Sequence, residues 1–174
     1  MNEQTYPFLI PIYKGEGRYA IEPFVLNYWG MLILTDEYRI VDENADAITI
    51  ASAVDEMRRY IEVTPCPNIL VRDAVQPEHI SKYHDKWSKF LHNNLLTTVM
   101  YDEEIITVLS LERRSRRGGG SGYCGGIECI ELPVNASLQE IGDAILKAFD
   151  AAEKYYSVGK YKPKRQRKIT KTED

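Results

Sequence analysis

Apolar residues recur at intervals of three and four in three stretches of the chain, a spacing that places them on one face of an α-helix. The first stretch runs from Ile48 to Ile61 and ends before Pro65 and Pro67, because neither proline tolerates a continuing helical backbone. The second runs from Gln76 to His92, and the third begins after Ser137. The pattern therefore predicts about three helices.

The third helix has the clearest start signal. Ser137 is an N-cap candidate, and Glu140 three places later completes a capping box. Gly142 lies within the helix, lowers its propensity by about 1 kcal/mol relative to alanine, and is expected to allow close packing against a strand. The residues predicted to face the core are Leu138, Ile141, Ala144 or Ile145, Ala148 and Phe149.

Shorter apolar runs, rich in β-branched and aromatic residues and separated by turn residues, predict strands. The first is expected to be an edge or irregular strand, because Pro7 and Pro11 cannot donate to a ladder. The two runs that flank Asp102-Glu103 predict a β-hairpin. The predicted strands are Tyr6–Tyr13, Arg18–Tyr28 with a break at Pro23, Met31–Leu34, a short Asn68–Arg72, Leu95–Tyr101, Ile105–Leu111 and Ile127–Leu132.

Turns and connections complete the pattern. Gly15-Glu16-Gly17 predicts a turn, residues 36–47 an acidic connection, and Arg113–Gly126 a basic, glycine-rich loop. The predicted fold class is α+β: a single domain with a mainly antiparallel sheet packed against about three helices. We expect this domain to span residues 1–159, followed by a basic, disordered tail over residues 160–174.

Length and composition agree with a folded domain. The chain has 174 residues, of which 44% are hydrophobic and 28% charged, as in globular proteins. It contains neither eighteen consecutive apolar residues nor a basic start followed by an unbroken apolar run, so we expect no membrane span and no signal peptide. The odd set Cys66, Cys124 and Cys129 fits free thiols in a reducing compartment, so the expected location is cytoplasmic.

Charge is divided unevenly along the chain. Residues 160–174 contain seven basic and two acidic residues, whereas residues 1–159 contain 15 basic and 24 acidic residues and are thus net −9. An acidic body repels nucleic acid and attracts basic proteins. We therefore expect a basic protein partner, no direct nucleic-acid binding and no membrane contact.

No motif with specific chemistry emerges. The glycine-rich loop lacks the Gly-Lys-Ser/Thr triplet of phosphate-binding loops and precedes a predicted strand rather than a helix. His79, His84 and His92 do not have the spacing of a metal pair on one helix face. We expect no enzyme activity, no catalytic residue, no metal and no cofactor.

Two alternatives remain open. Arg113–Arg117 and the basic tail could serve a nucleic-acid-associated protein. A small enzyme using Cys124 or a histidine is a further possibility, because arginines near a thiol lower its pKa.

The segment Ile130–Asp150 resembles the C-terminal part of the immunity proteins of bacterial contact-dependent growth inhibition systems, called CdiI. In that family a strand leads through a polar turn to a helix with a glycine after its first turn. The matching positions here are Pro133, Asn135, Ser137, Leu138, Ile141, Gly142, Ile145, Leu146 and Ala148. The resemblance implies a cytosolic protein that binds the C-terminal toxin domain of its cognate effector. Many such toxins are nucleases with basic clefts.

Together, the acidic body and the resemblance predict an inhibitor that blocks the active site of a basic toxin, expected to be a nuclease. Acidic side chains on connections and at a hairpin tip are the predicted contacts. They are Asp36, Glu37, Asp42 and Glu43, with Asp102, Glu103 and Glu104.

Overall fold

The computed structural model describes residues 8–27, 32–35, 37–64, 90, 93–115 and 121–158. The predicted short strand at 68–72, the helix at 76–92 except for Phe90, and the basic tail lie outside these residues. Within the described part there are two helices and eight strands. The elements are β1 (Phe8–Gly15), β2 (Arg18–Ile21), β3 (Phe24–Leu26), β4 (Leu32–Leu34), β5 (Arg39–Asp42), α1 (Ala47–Val63), β6 (Leu95–Tyr101), β7 (Ile105–Ser115), β8 (Ser121–Pro133) and α2 (Leu138–Ser157).

All strand pairings are antiparallel and join the eight strands in one curled sheet, which confirms the α+β prediction. The main order is β4-β3-β1-β6-β7-β8, with β2 paired to β1 and β5 paired to β2. The predicted break at Pro23 is present as the step from β2 to β3. The predicted hairpin is also present as β6 and β7.

The sequence predicts an edge or irregular strand for β1. The edge alternative is wrong, because β1 pairs with β2 and β3 on one side and with β6 on the other. The carbonyl of Pro11 accepts the Glu22 N–H at 3.0 Å. The backbone nitrogen of a strand residue points the same way as its carbonyl, so the nitrogen of Pro11 faces the step between β2 and β3. The ladder is interrupted there, and the missing N–H of proline therefore breaks no regular bond.

The acidic connection predicted over residues 36–47 contains two structured features. Its middle forms β5, which pairs with β2 from Ile21↔Arg39 to Arg18↔Asp42. Asp46 then caps α1, accepting the Thr49 N–H at 2.8 Å. This hydrogen bond lowers the pKa of the Asp46 carboxyl.

The glycine-rich segment predicted as a loop over Arg113–Gly126 is largely strand. β7 continues to Ser115 and β8 starts at Ser121, while residues 116–120 lie outside the described part. The register steps from Ser110↔Glu128 to Leu111↔Gly126 and then to Arg113↔Tyr123, so β8 carries an extra residue at each step. These are β-bulges. Gly125, with φ 77°, supplies a left-handed conformation at the second bulge.

Both helices pack against the sheet and against each other. The core between them contains Ile12, Val99 and Val108 from the sheet with Met57 and Phe149 from the helices, all fully buried. On α2, Ala144, Ile145, Ala148 and Phe149 are buried as predicted, whereas Leu138 remains 37% exposed. On α1, Ile48 was placed on the predicted buried face, but it is 47% exposed.

Gly142 is required by close packing, but its neighbour is a helix and not the predicted strand. A Cβ at this position would lie 2.0 Å from the carbonyl oxygen of Ala47, the first residue of α1. The two helix backbones therefore meet at this residue, and no side chain fits between them.

Candidate interaction surface

The turn between β6 and β7 presents three exposed carboxylates on a fixed backbone. The Asp102 N–H donates to the Ile105 carbonyl at 2.9 Å, which closes the turn. The Asp102 carboxylate accepts the Glu103 N–H at 2.8 Å. Asp102, Glu103 and Glu104 are all exposed. The structure thus brings this predicted group together at one hairpin tip.

The chain from β8 to α2 is attached to the same turn. The Val134 N–H donates to the Glu104 carbonyl at 3.2 Å, and the Ala136 N–H donates to the Pro133 carbonyl at 2.9 Å. The predicted capping box is present: Ser137 Oγ accepts the Glu140 N–H, and the Glu140 carboxylate accepts the Ser137 N–H at 2.8 Å. The Ser137 hydroxyl also donates to the Glu140 carboxylate at 2.7 Å, and this bond together with the bond from the Ser137 N–H lowers the pKa of Glu140.

Large aliphatic side chains are exposed around this junction. Ile105 is 39% exposed, Val134 51% and Leu138 37%. Isolated exposed aliphatic residues are ordinary, but several in one place mark interaction sites. We call the six residues of this region the tip surface: Asp102, Glu103, Glu104, Ile105, Val134 and Leu138.

The negative charge of the chain is concentrated around the tip surface. Residues 95–112 and 121–146 form β6, most of β7, β8 and the first half of α2. They carry eight acidic residues and no Lys, Arg or His, whereas the rest of residues 1–159 carries 16 acidic against 15 basic residues. Of the net −9 charge of residues 1–159, −8 therefore falls within these two stretches of sequence. Basic residues follow both stretches directly: Arg113 and Arg114 on β7, and Lys147 on α2, which lies 3.9 Å from Glu128.

The second predicted group does not join the tip surface. Glu37 forms an ion pair with Arg39, which also binds both carboxylate oxygens of Glu56 at 2.6 and 2.9 Å. The hydrogen bonds that Arg39 donates to Glu56 and to Glu37 raise the pKa of Arg39, and those to Glu56 lower the pKa of Glu56. Glu37 thus belongs to an ion-pair network between β5 and α1. Asp36 lies outside the described residues.

Asp42 and Glu43 are exposed at the end of β5. The Asp42 carboxylate accepts the Asn44 N–H at 2.8 Å, and the Glu43 N–H donates to the Gly17 carbonyl at 3.2 Å. This contact places them beside the β1–β2 turn, where Glu16 and Gly17 have the positive φ values of 56° and 76° that the predicted tight turn requires.

The register of β1 against β6 gives the distance between the Asp102–Glu104 group and the Asp42–Glu43 group. Lys14 is level with Leu95 at the β1–β2 turn, and Phe8 is level with Tyr101 at the hairpin tip. Six residue steps of about 3.3 Å separate these levels, or about 20 Å. The two acidic groups therefore lie at opposite ends of the sheet and do not form one surface.

Arg113, which the nucleic-acid alternative used, is held within the protein. Its guanidinium stacks over the Tyr156 ring at 4.4 Å, and its backbone N–H donates to the Tyr156 hydroxyl at 2.7 Å. The Tyr123 hydroxyl donates to the Asn94 carbonyl at 2.7 Å, and burial raises the pKa of Tyr123. This contact fixes the base of the β7–β8 ribbon. The side chains of Arg114, Arg116 and Arg117 lie outside the described part.

Sequence reasoning missed the aliphatic part of the tip surface, because each residue lies in or next to a predicted strand or helix where an apolar side chain suggests the core. It also missed how the charge is distributed. The signal was present in the sequence, as two long stretches without a basic residue.

Neither a group of three potential metal ligands nor a helix able to cross a bilayer occurs among the described residues.

No protein-family model matches the chain, and no curated protein matches it in sequence. Solved structures share its fold. One is a chain of a CdiA-CT/CdiI toxin and immunity complex from Yersinia pseudotuberculosis, with a TM-score of 0.56 at 12% identity; the match covers 84% of this chain and 98% of that one. Another is a protein of unknown function from Neisseria meningitidis, with a TM-score of 0.54 at 12% identity, covering 86% and 98%. The chain thus has the fold of a protein found in a toxin and immunity complex.

Proposed function

We propose that this chain is an immunity protein that binds the C-terminal toxin domain of a cognate contact-dependent growth inhibition effector and blocks its active site. The proposed toxin is a nuclease with a basic cleft. The chain acts by occupying that cleft and performs no chemistry on the toxin. In this proposal the tip surface makes the contact, and Asp102, Glu103 and Glu104 face the cations of the toxin.

The segregation of charge carries this proposal. A protein that needs negative charge only for solubility can spread it over its whole surface. Here eight acidic residues lie in two stretches of sequence, 95–112 and 121–146, that contain no basic residue, and three of the eight occupy one exposed turn. Such a field attracts a cationic partner and raises its association rate.

The fold likeness supports the same function. The match spans 98% of the neighbouring chain, so the similarity extends through the whole of that protein and not through one motif. The segment that resembles CdiI in sequence also forms the strand, turn and capped helix beside the hairpin tip.

The test uses the toxin domain of the effector gene that the proposed function predicts next to this gene, with two triple charge reversals in the full chain. One variant is D102K/E103K/E104K. The matched control is E16K/D42K/E43K, which makes the same change in net charge at the opposite end of the sheet. We expect the tip variant to raise the Kd at least about tenfold and to lose protection in a growth assay, while the control retains both.

Each result is informative. Equal losses of affinity and protection in both variants would indicate that net charge, and not the turn at Asp102–Glu104, determines binding to the toxin domain. Loss of binding in the control variant alone would indicate that Asp42 and Glu43, and not the tip surface, contact the toxin domain. A wild-type chain that forms no complex with the toxin domain, and does not restore growth, would refute the proposed function.

A further inference from the structure

The tip surface is convex, because its aliphatic side chains lie on both sides of the sheet end. Ile106 belongs to the core beneath the helices, and neighbouring strand residues point to opposite faces. Ile105 therefore projects from the face away from the helices. Leu138 belongs to the helix layer, three residues before the buried Ile141 of α2.

Val134 lies between these two sides. It follows the last residue of β8, and its N–H bonds to the turn residue Glu104. Pro133 is the register partner of Ile105. The backbones of Ile105, Val134 and Leu138 thus belong to one hydrogen-bonded junction, with the three carboxylates at its end.

This junction is ordered before any partner binds. The turn, the Val134 contact and the capping box all fix its backbone. A fixed backbone lowers the entropy lost on association, so more of the contact energy appears as affinity.

Resting on the proposed function, we infer that Ile105 on one side and Val134 with Leu138 on the other are the apolar anchors of the complex. The partner site they fit is a cleft with cations at its floor and apolar walls on both sides. The two kinds of residue have separate roles. The carboxylates accelerate encounter, and the aliphatic side chains slow dissociation by losing their remaining exposure to water.

Two exposed isoleucines elsewhere provide controls whose side chains have a similar exposed fraction. Ile40 on β5 is 43% exposed and Ile48 on α1 is 47% exposed, close to the values for Ile105 and Val134. Neither belongs to the tip surface. Threonine replaces apolar surface by a hydroxyl at each position. Val134 loses less apolar area than an isoleucine does, so the control variant removes at least as much apolar area as the tip variant.

The experiment compares I105T/V134T with I40T/I48T in the full chain by surface plasmon resonance, using the toxin domain of the effector gene that the proposed function predicts next to this gene. We expect the tip variant to dissociate about tenfold faster with little change in association rate, and the control to dissociate like wild type. Wild-type dissociation rates in both variants would overturn the inference while leaving the proposed function intact. Absence of any wild-type complex would instead overturn the proposed function.

A second measurement needs no substitution. Hydrogen exchange of the wild-type chain, with and without the toxin domain, should show protection in residues 102–106 and 133–138 of the complex. Protection confined to other residues would also overturn the inference.

Discussion

Gly142 of α2 lies against Ala47 of α1 so closely that a Cβ would come within 2.0 Å of the Ala47 carbonyl oxygen. This contact joins the first turn of α1 to the second turn of α2. It sets how near α2 approaches α1, and through the capped start of α2 it also positions the tip surface.

Substitution G142A should lower the free energy of unfolding by about 1–3 kcal/mol, because the new methyl group must displace helix backbone. The gain in helix propensity, about 1 kcal/mol, is too small to reverse the sign. Urea unfolding followed by circular dichroism measures the change. G122A is the control, since a Cβ there has nothing within 4 Å. An unaltered or raised stability of G142A would contradict the contact.

Thr97 is fully buried on the helix side of β6, and its hydroxyl has no hydrogen-bond partner among the described residues. Replacing it with valine removes an unsatisfied polar group at nearly constant shape. T97V should therefore raise the free energy of unfolding by about 1 kcal/mol. T98V is the control, because the Thr98 hydroxyl donates to the Leu109 carbonyl at 3.4 Å. A destabilised T97V would imply an ordered partner for the hydroxyl.

The Asp46 cap should make stability depend on acid pH. Its hydrogen bonds to Thr49 lower the pKa of the carboxyl in the folded state below the ordinary aspartate value. The stabilisation is therefore complete above that ordinary value, near pH 4, and is lost as pH falls through the lowered pKa. D46N caps the helix without titrating, so its stability should decline less between about pH 5 and pH 2. Parallel slopes in thermal unfolding would contradict this role.

The Tyr156 hydroxyl should protect one specific amide. It accepts the backbone N–H of Arg113, at the base of the β7–β8 ribbon. Y156F removes this acceptor, and hydrogen exchange of the Arg113 amide should become about tenfold faster. Y155F is the control. It removes the Tyr155 hydroxyl, which donates to the Glu112 carboxylate, so hydrogen exchange of the Arg113 amide should keep its wild-type rate. Equal rates in Y156F and wild type would show that another contact protects this amide.

If the proposed function holds, association with the toxin domain should slow as salt is added. Charges are screened over about 10 Å in 0.1 M salt but over about 30 Å in 0.01 M salt. Stopped-flow association should therefore be about tenfold slower at the higher concentration. D102K/E103K/E104K should lose most of this dependence, whereas E16K/D42K/E43K should keep it. A rate independent of salt in the wild type would exclude electrostatic attraction as the cause of fast binding.

Features governed by neighbouring residues were predictable from the sequence. The capping box of Ser137 and Glu140, the Gly15–Gly17 turn and the hairpin around Asp102 each depend on contacts within a few residues, and all are present. Asp46 was missed because Thr49, at the third helical position, does not complete a capping box.

Features that depend on distant partners were not predictable. Pro11 suggests an edge, and only its position opposite the β2–β3 step explains how an interior strand accepts it. The glycines before Ile127 suggest a loop, and only pairing with β7 makes them strand. For the site, the group Asp102–Glu104 was identified, but its separation from Asp42 follows from strand register. The binding role of both groups stays a prediction.

The uneven placement of charge also affects how the protein orients in an electric field. Residues 95–112 and 121–146, which form β6, most of β7, β8 and the start of α2, contain eight acidic and no basic residues, so this part of the chain contributes a dipole moment. In the field of a cationic neighbour this dipole experiences a torque, and the protein turns its acidic side forward before the surfaces touch. If the proposed function holds, fewer collisions with the toxin domain then occur in unproductive orientations.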